Sequence, residues 1–167
     1  CHNGDNQLCD AASKSQATHG GLSALGRQAI EEMNRVGMMI DLSHAGEATF
    51  YQALELSSQP VVCSHSSARA LCDHPRNLTD DMFRAICQTG GVAGFNHCAP
   101  FVGKEPDLDT VADHILHFLE LDPTGKHIAL GGDLDGVDGM PLGFEGVQSW
   151  PKLAARLMER GMDEGTV

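Results

Sequence analysis

The sequence predicts an α/β fold and, more narrowly, the C-terminal half or more of a (β/α)8 TIM barrel. Three observations carry that expectation. Apolar runs alternate with helical patterns four times, in units of roughly thirty residues, the length a strand–helix–strand crossover needs. The runs are continuously apolar instead of alternating, which suits parallel strands covered on both faces. The runs, at 38–44, 61–67, 92–97 and 128–136, also end in polar residues. Those residues then fall at the carboxyl ends of strands, the face where barrels and open α/β sheets gather their reactive groups.

The elements follow in order. Residues 1–21 are polar and irregular and read as a long loop. Leu25, Ala29, Ile30, Met33 and Val36 recur at helical spacing, with Ser23 as N-cap and Gly37 as stop. The run to His44 comes next. A second helix covers about 47–57, with Ala48, Tyr51 and Leu54 on one face and Pro60 beyond its end. The run to His65 is followed by a polar loop carrying Arg69, Asp73, His74, Arg76 and Asn77. A third helix starts near Thr79, shows Met82, Ile86 and Cys87, and stops at Gly90. The third run ends at Asn96 and His97, and a loop from 99 to 106 leads to a helix with Val111, Ile115, Phe118 and Leu119. The fourth run ends in Gly-Gly-Asp-Leu-Asp-Gly at 131–136. The last helix has Pro151 in its first turn, Leu153, Leu157 and Met158 inside, and Gly161 after it.

With 167 residues the chain suits one domain segment spanning 1–167. Four strand–helix units are half of a barrel, so the segment is expected to belong to a larger one, lacking N-terminal strands and the C-terminal end. The tail from Asp163 to Val167 looks like the start of a further helix. The formal net charge of −12 argues against nucleic acid and anionic membranes as partners. No apolar run is long enough to span a membrane. No signal peptide is visible, and the chain opens on Cys1 instead of Met. The six cysteines form no CxxC pair, which speaks against a zinc knuckle. Cys63 and Cys87 fall in apolar patterns and read as buried thiols. Cys1, Cys9, Cys72 and Cys98 lie in loop-like segments and are placed to pair, so the compartment stays open.

His44 and His65 are the strongest chemical signal. They stand 21 residues apart, one strand–helix–strand step, and so end neighbouring parallel strands at the same height. Neutral imidazoles so placed can share one divalent metal, as a metal-dependent hydrolase requires. Asp133 follows two glycines that let a ligand approach. A carboxylate there can take a proton from water and return it to a leaving amine, whereas Asp135-Gly136 reads as a turn. The turn reading is open for Asp133 too. The third acidic ligand of a calcium-binding loop is missing from this stretch, which excludes that reading. Arg76, in the loop after His65, can clamp a carboxylate bidentately or lie on the surface. His2 reads only as a loop histidine. His74, His97, His114, His117 and His127 read as structural or solvent-facing.

Several stretches together resemble the renal or membrane dipeptidase family, zinc dipeptidases of the amidohydrolase-like barrel class. They are Cys1-His2-Asn3, Gly21-Leu22-Ser23 with Gly26, Met33-Asn34-Arg35-Val36-Gly37, IDLSH at 40–44, SHSSAR at 64–69, Arg76-Asn77-Leu78-Thr79-Asp80-Asp81, Val111-Ala112-Asp113-His114 and GGDLDG at 131–136. The resemblance implies that His44 and His65 ligate one of two bridged Zn2+ ions. It implies that His2 holds the scissile carbonyl and oxyanion, that Arg76 binds the substrate's free carboxylate, and that Asp133 is the general acid/base. The implied activity is hydrolysis of a dipeptide by metal-activated water, with D-configured C-terminal residues tolerated. It leaves room for a homodimer and does not fix the compartment.

The family's other metal ligands, an early His-x-Asp and a bridging Glu, precede the His2 segment. The segment alone is therefore expected to be inactive and poorly folded. Two rival readings remain. One is another metal-dependent amidohydrolase acting on cyclic amides or nucleobases, which SHSS and Arg76-Asn77 speak against. The other is a non-catalytic barrel, which the presence of His44, His65 and Asp133 speaks against.

Overall fold

The computed structural model describes residues 2–13, 16–137 and 139–165. The pairing expected of Cys1, and the last residues of the tail expected to begin another helix, lie outside them. The elements are α1 (Ala24–Val36), α2 (Glu47–Leu56), β1 (Val62–Cys63), α3 (Asp80–Gln88), β2 (Val92–Asn96), α4 (Ala99–Val102), α5 (Leu108–Leu121), β3 (Ile128–Gly132) and α6 (Trp150–Glu159). The three strands form one parallel sheet in the order β1-β2-β3. The fold is α/β, with strands and helices alternating along the chain. No helix among the described residues is long and apolar enough to cross a membrane.

The first apolar run corrects the sequence reading. It makes one parallel bridge, Asp41 to Val62, and no full strand. Its backbone still runs beside β1, with Leu42 N–H donating to Val62 O (2.8 Å) and Val62 N–H to Ile40 O (3.0 Å). The pairing stops because β1 itself stops. After Cys63 the chain crosses over its neighbours, so that a Cβ at Gly94 or Gly131 would stand 2.3 or 2.1 Å from Ser64 O. Only glycine permits that approach.

The helices start and stop where local chemistry directs. Ser23 Oγ accepts from Gly26 N–H (3.0 Å), and Gly37 closes α1 at φ 71°. Thr79 caps α3 through Met82 N–H (3.1 Å). Asp107 and Thr110 form a reciprocal capping box on α5. Pro151 sits in the first turn of α6. Three details differ from expectation. The inner face of α2 is Thr49, Phe50 and Ala53, while Tyr51 is exposed. Met158 is exposed on α6. The 99–106 loop contains the short helix α4.

Two apolar clusters hold the helices to the sheet. One joins α1, α2 and α3 to β1 around Phe50, Val61, Cys63, Phe83 and Ile86. There Phe83 stacks on Phe118 of α5, ring centres 4.3 Å apart. The other joins α5 and α6 around Phe95, Val111, Ile115, Phe144 and Leu153. Each such side chain contributes about 1.5–3 kcal/mol by leaving water. Cys63 is buried as expected, Cys87 only partly so, and Cys9, Cys63, Cys72 and Cys87 are free thiols. The pairing envisaged for Cys9 and Cys72 is therefore not formed.

Candidate functional site at the carboxyl end of the sheet

His44 and His65 leave the ends of adjacent strand segments and face each other, Nε2 to Nε2, at 2.9 Å. A relay beneath them sets the tautomer of His65. The single hydrogen of the Ser64 hydroxyl points to Asp41 Oδ2, which as a carboxylate only accepts. Ser64 Oγ therefore accepts from His65 Nδ1–H (2.7 Å), and His65 Nε2 keeps its lone pair.

Burial works to raise the Asp41 pKa. Hydrogen bonds from the hydroxyls and N–H groups of Ser64 and Ser43 outweigh that and hold the carboxyl below its usual range. Ser43 Oγ donates to Asp41 Oδ1 (2.8 Å) and accepts His65 N–H (3.0 Å), so both strand ends are tied to one carboxylate.

Both imidazoles are kept neutral. Burial, reinforced by the Arg76 cation and by His65 and His2, pushes His44 down to about 4. Burial also lowers His65, against the opposing charge of Asp133. His44 Nε2–H thus donates to His65 Nε2, and with that hydrogen moved to His44 Nδ1 the two converging nitrogens could hold a divalent cation. Tetrahedral ligation would set the two nitrogens about 3.3 Å apart, a small widening of the present gap.

The remaining predicted residues gather around this pair. The His2 ring centre lies 4.3 Å from that of His44. The loop that carries His2 is shaped by Asp10, whose carboxylate accepts N–H bonds from Thr18 (2.8 Å) and Gly21 (2.8 Å), and by Ala12 N–H on His44 O (2.9 Å).

Arg76 is 5% exposed. Its Nη2 donates to His65 O (3.3 Å), and its guanidinium sits over the Phe101 ring at 5.6 Å. Its Nε and Nη1 are buried without a partner among the described residues. Burial lowers its pKa, and the charges of Asp133 and Asp41 work to hold the proton on. Asn77 pins the loop that carries it, donating to Cys72 O (2.8 Å) and Phe101 O (2.7 Å).

Asp133 directly follows β3 at φ 63°, a left-handed backbone unusual outside glycine. The turn reading is realised around it, since Gly136 N–H donates to Asp133 O (3.1 Å). A Cβ at Gly136 would come within 2.8 Å of Asp133 Oδ1, so the glycine leaves room for the carboxylate. Asn96 Nδ2 reaches both His65 O (3.3 Å) and Asp133 Oδ2 (3.5 Å), tying the ends of β1, β2 and β3 together.

His2, His44, His65, Arg76 and Asp133 thus converge from five separate segments. Sequence reasoning missed Asp41, Ser43, Ser64 and the bridging role of Asn96. The available signal for Asp41 was an acid inside an otherwise apolar run, two residues before Ser43, which can donate to it. The other histidines lie apart from the pair: His114 is buried in α5 between Ala68 N–H (3.0 Å) and Val102 O (3.0 Å), and His117 meets Asp80 (2.8 Å).

The chain matches the family described as membrane dipeptidase (peptidase family M19) over residues 1–167. It is 44% identical over 164 residues to an uncharacterized dipeptidase of Schizosaccharomyces pombe, covering 96% of this chain and 40% of that protein. An amidohydrolase from Pseudomonas aeruginosa superposes at a TM-score of 0.89 with 31% identity, covering 99% of this chain and 58% of the other. A metallopeptidase from Rhodobacter sphaeroides, liganded with a phosphinate mimic of the dipeptide L-Ala-D-Ala, superposes at 0.82 with 33% identity, covering 89% and 44%. The chain therefore spans about two fifths of the yeast relative's length.

Proposed function

Because the chain belongs to the membrane dipeptidase family, peptidase family M19, we propose that the protein is a zinc-dependent dipeptidase. In this reading the chain is half of a (β/α)8 barrel. Support comes from the inner face of the sheet. Met39 and Leu130 are 65% and 44% exposed there, beside an open apolar hollow of 420 Å3 reaching Val62, Val92 and Ala129. Strands elsewhere in a longer protein would close over it.

His44 and His65 would hold the ion through Nε2. Bound there, the ion supplies Lewis acidity that makes water more acidic and polarises a carbonyl. The residues of this chain do the rest. Arg76 receives the substrate carboxylate on Nε and Nη1. His2 donates to the carbonyl oxygen as it gains negative charge. Asp133 takes one proton from the attacking water as its oxygen bonds to the carbonyl carbon. It returns that proton to the amide nitrogen as the carbon–nitrogen bond breaks, releasing two amino acids.

One observation carries this reading: a buried arginine with two unspent donors beside a facing imidazole pair. A buried guanidinium left unpaired is costly, and a ligand with a free carboxylate relieves the cost. The relative's L-Ala-D-Ala mimic suggests dipeptides with a D-configured C-terminal residue.

The test uses the full-length protein carrying this chain, stripped by chelation and reloaded with Zn2+. L-Ala-D-Ala should be hydrolysed only after reloading, and its C-terminal amide poorly. Arg76→Met should lower kcat/KM for the acid by about 30- to 3,000-fold, the equivalent of losing a buried charge pair. Equal kcat/KM for acid and amide would defeat the proposal.

A further inference from the structure

At the opposite, amino end of the sheet, three metal-ligating side chains meet from separate elements. Cys87 closes the last turn of α3, Asp122 caps the C-terminus of α5, and His127 immediately precedes β3. One ligand atom from each lies within 4.8 Å of those from the other two. Thirty-five residues separate Cys87 from Asp122, so only the fold brings them together.

The surroundings prepare the group. His127 Nδ1 is 2.7 Å from Gly91 O. A carbonyl only accepts, so Nδ1 carries a hydrogen and Nε2 is the nitrogen left for a metal in the neutral ring. A backbone carbonyl on the far nitrogen is the usual orienting contact of a metal-bound histidine. Asp122 is 9% exposed and already ordered: Oδ1 accepts from Thr124 Oγ1 (2.6 Å) and Oδ2 from His127 N–H (3.3 Å). Cys87 is partly buried, and its thiol is pushed up first by burial and then by the Asp122 charge.

We propose that Cys87, Asp122 and His127 form a second divalent-metal site that takes Zn2+ as a structural clip. Thiolate, imidazole and carboxylate suit a borderline-soft ion with water in the fourth position, and the sulfur disfavours Mg2+ and Ca2+. Tetrahedral zinc needs ligand atoms about 3.5 Å apart, so side-chain rotation of about an ångström closes the cluster. The ion would join the end of α3 to the turn between α5 and β3. It lies one strand length, roughly 15 Å, from the His44–His65 pair and touches none of the groups assigned to catalysis.

Cobalt distinguishes the two sites, because the His44–His65 group contains no sulfur. Co2+ titrated into the metal-free full-length protein should develop a thiolate-to-cobalt charge-transfer band, saturating at one equivalent of thiolate-bound ion per chain. The band should survive the His44→Ala/His65→Ala double substitution. It should vanish in Cys87→Ser, a substitution that keeps size and shape. His127→Gln gives an independent check and should weaken the cobalt affinity at least ten-fold. Zn2+ should raise the thermal midpoint of the double variant but not of that variant carrying Cys87→Ser as well. Absence of the band in the unsubstituted protein, or its persistence in Cys87→Ser, would overturn the proposal.

Discussion

At the amino end of the sheet polar groups are spent on the protein itself, whereas at the carboxyl end several are held unspent. Thr89 Oγ1 donates to Ile86 O (2.8 Å), Thr124 to Asp122 (2.6 Å) and His127 Nδ1 to Gly91 O (2.7 Å), all beneath the strands. Above them, Arg76 Nε and Nη1, Asn77 Oδ1, both ring nitrogens of His97 and Trp150 Nε1 are buried without a well-formed hydrogen bond among the described residues. Asp133 adds a left-handed backbone. Each unsatisfied group costs about 1–3 kcal/mol, and the left-handed residue adds a similar sum. Parallel strands give the two ends different duties: the end where strands stop is left to ligands, and the end where they begin holds the fold.

The largest test of this division is Asp133→Asn in the full-length, metal-loaded protein. Asparagine tolerates a positive φ, so the turn and the contact with Asn96 should persist. A proton acceptor is nevertheless lost. Dipeptide hydrolysis should fall by about 10²- to 10⁴-fold, with the thermal midpoint moving little. Activity within a few-fold of the parent would show that the strained aspartate is only a turn residue.

His97 offers the next largest effect, read in stability. Its ring stacks on Phe144 (4.0 Å) and meets Phe95 edge-on (5.0 Å). Burial pushes it down to about 4, the Gly132 carbonyl opposing weakly. In the unfolded chain the imidazole titrates near ~6.5. Between those values the unfolded state binds the extra proton. Stability therefore falls as pH drops through ~6.5 and levels off below about pH 4. The full loss is on the order of 3 kcal/mol. His97→Phe should remove this dependence. Urea midpoints at about pH 7 and about pH 4.5 should diverge less in the variant than in the parent. Equal divergence would show that the ring is not what makes the fold acid-sensitive.

What could be read from the chain tracks how local its cause is. Ser23, Gly37, Thr79 and Pro151 mark helix ends by chemistry confined to a turn, and the structure uses them so. The face of α2 differs from expectation because Phe50 and Tyr51 adjoin, and only the apolar cluster packed beneath the helix decides which goes inside. The first apolar run promised a full strand, but Ser64 crossing over Gly94 and Gly131 ends the pairing after one bridge. At the site, the 21-residue spacing of His44 and His65 is a property of the repeating unit and shows in the sequence. The Asp41–Ser64–His65 relay depends on side-chain direction. The Cys87–Asp122–His127 cluster depends on three elements meeting. No spacing announces either.

The smallest effect, and the cleanest separation of the two ends, is expected from Thr124→Ala. The Thr124 hydroxyl donates to Asp122 Oδ1 at 2.6 Å and does nothing above the sheet. Its removal should cost about 1 kcal/mol, lowering the thermal midpoint of the full-length protein by about 2 °C or less. Asp122 keeps N–H bonds from Thr124 (3.2 Å) and His127 (3.3 Å), so the turn should bend little. The dipeptidase kcat/KM of the full-length protein should stay unchanged within error. If the rate fell while the midpoint held, the amino-end turn would be shaping the catalytic face through β3. The two ends would then be one mechanical unit instead of two with separate duties.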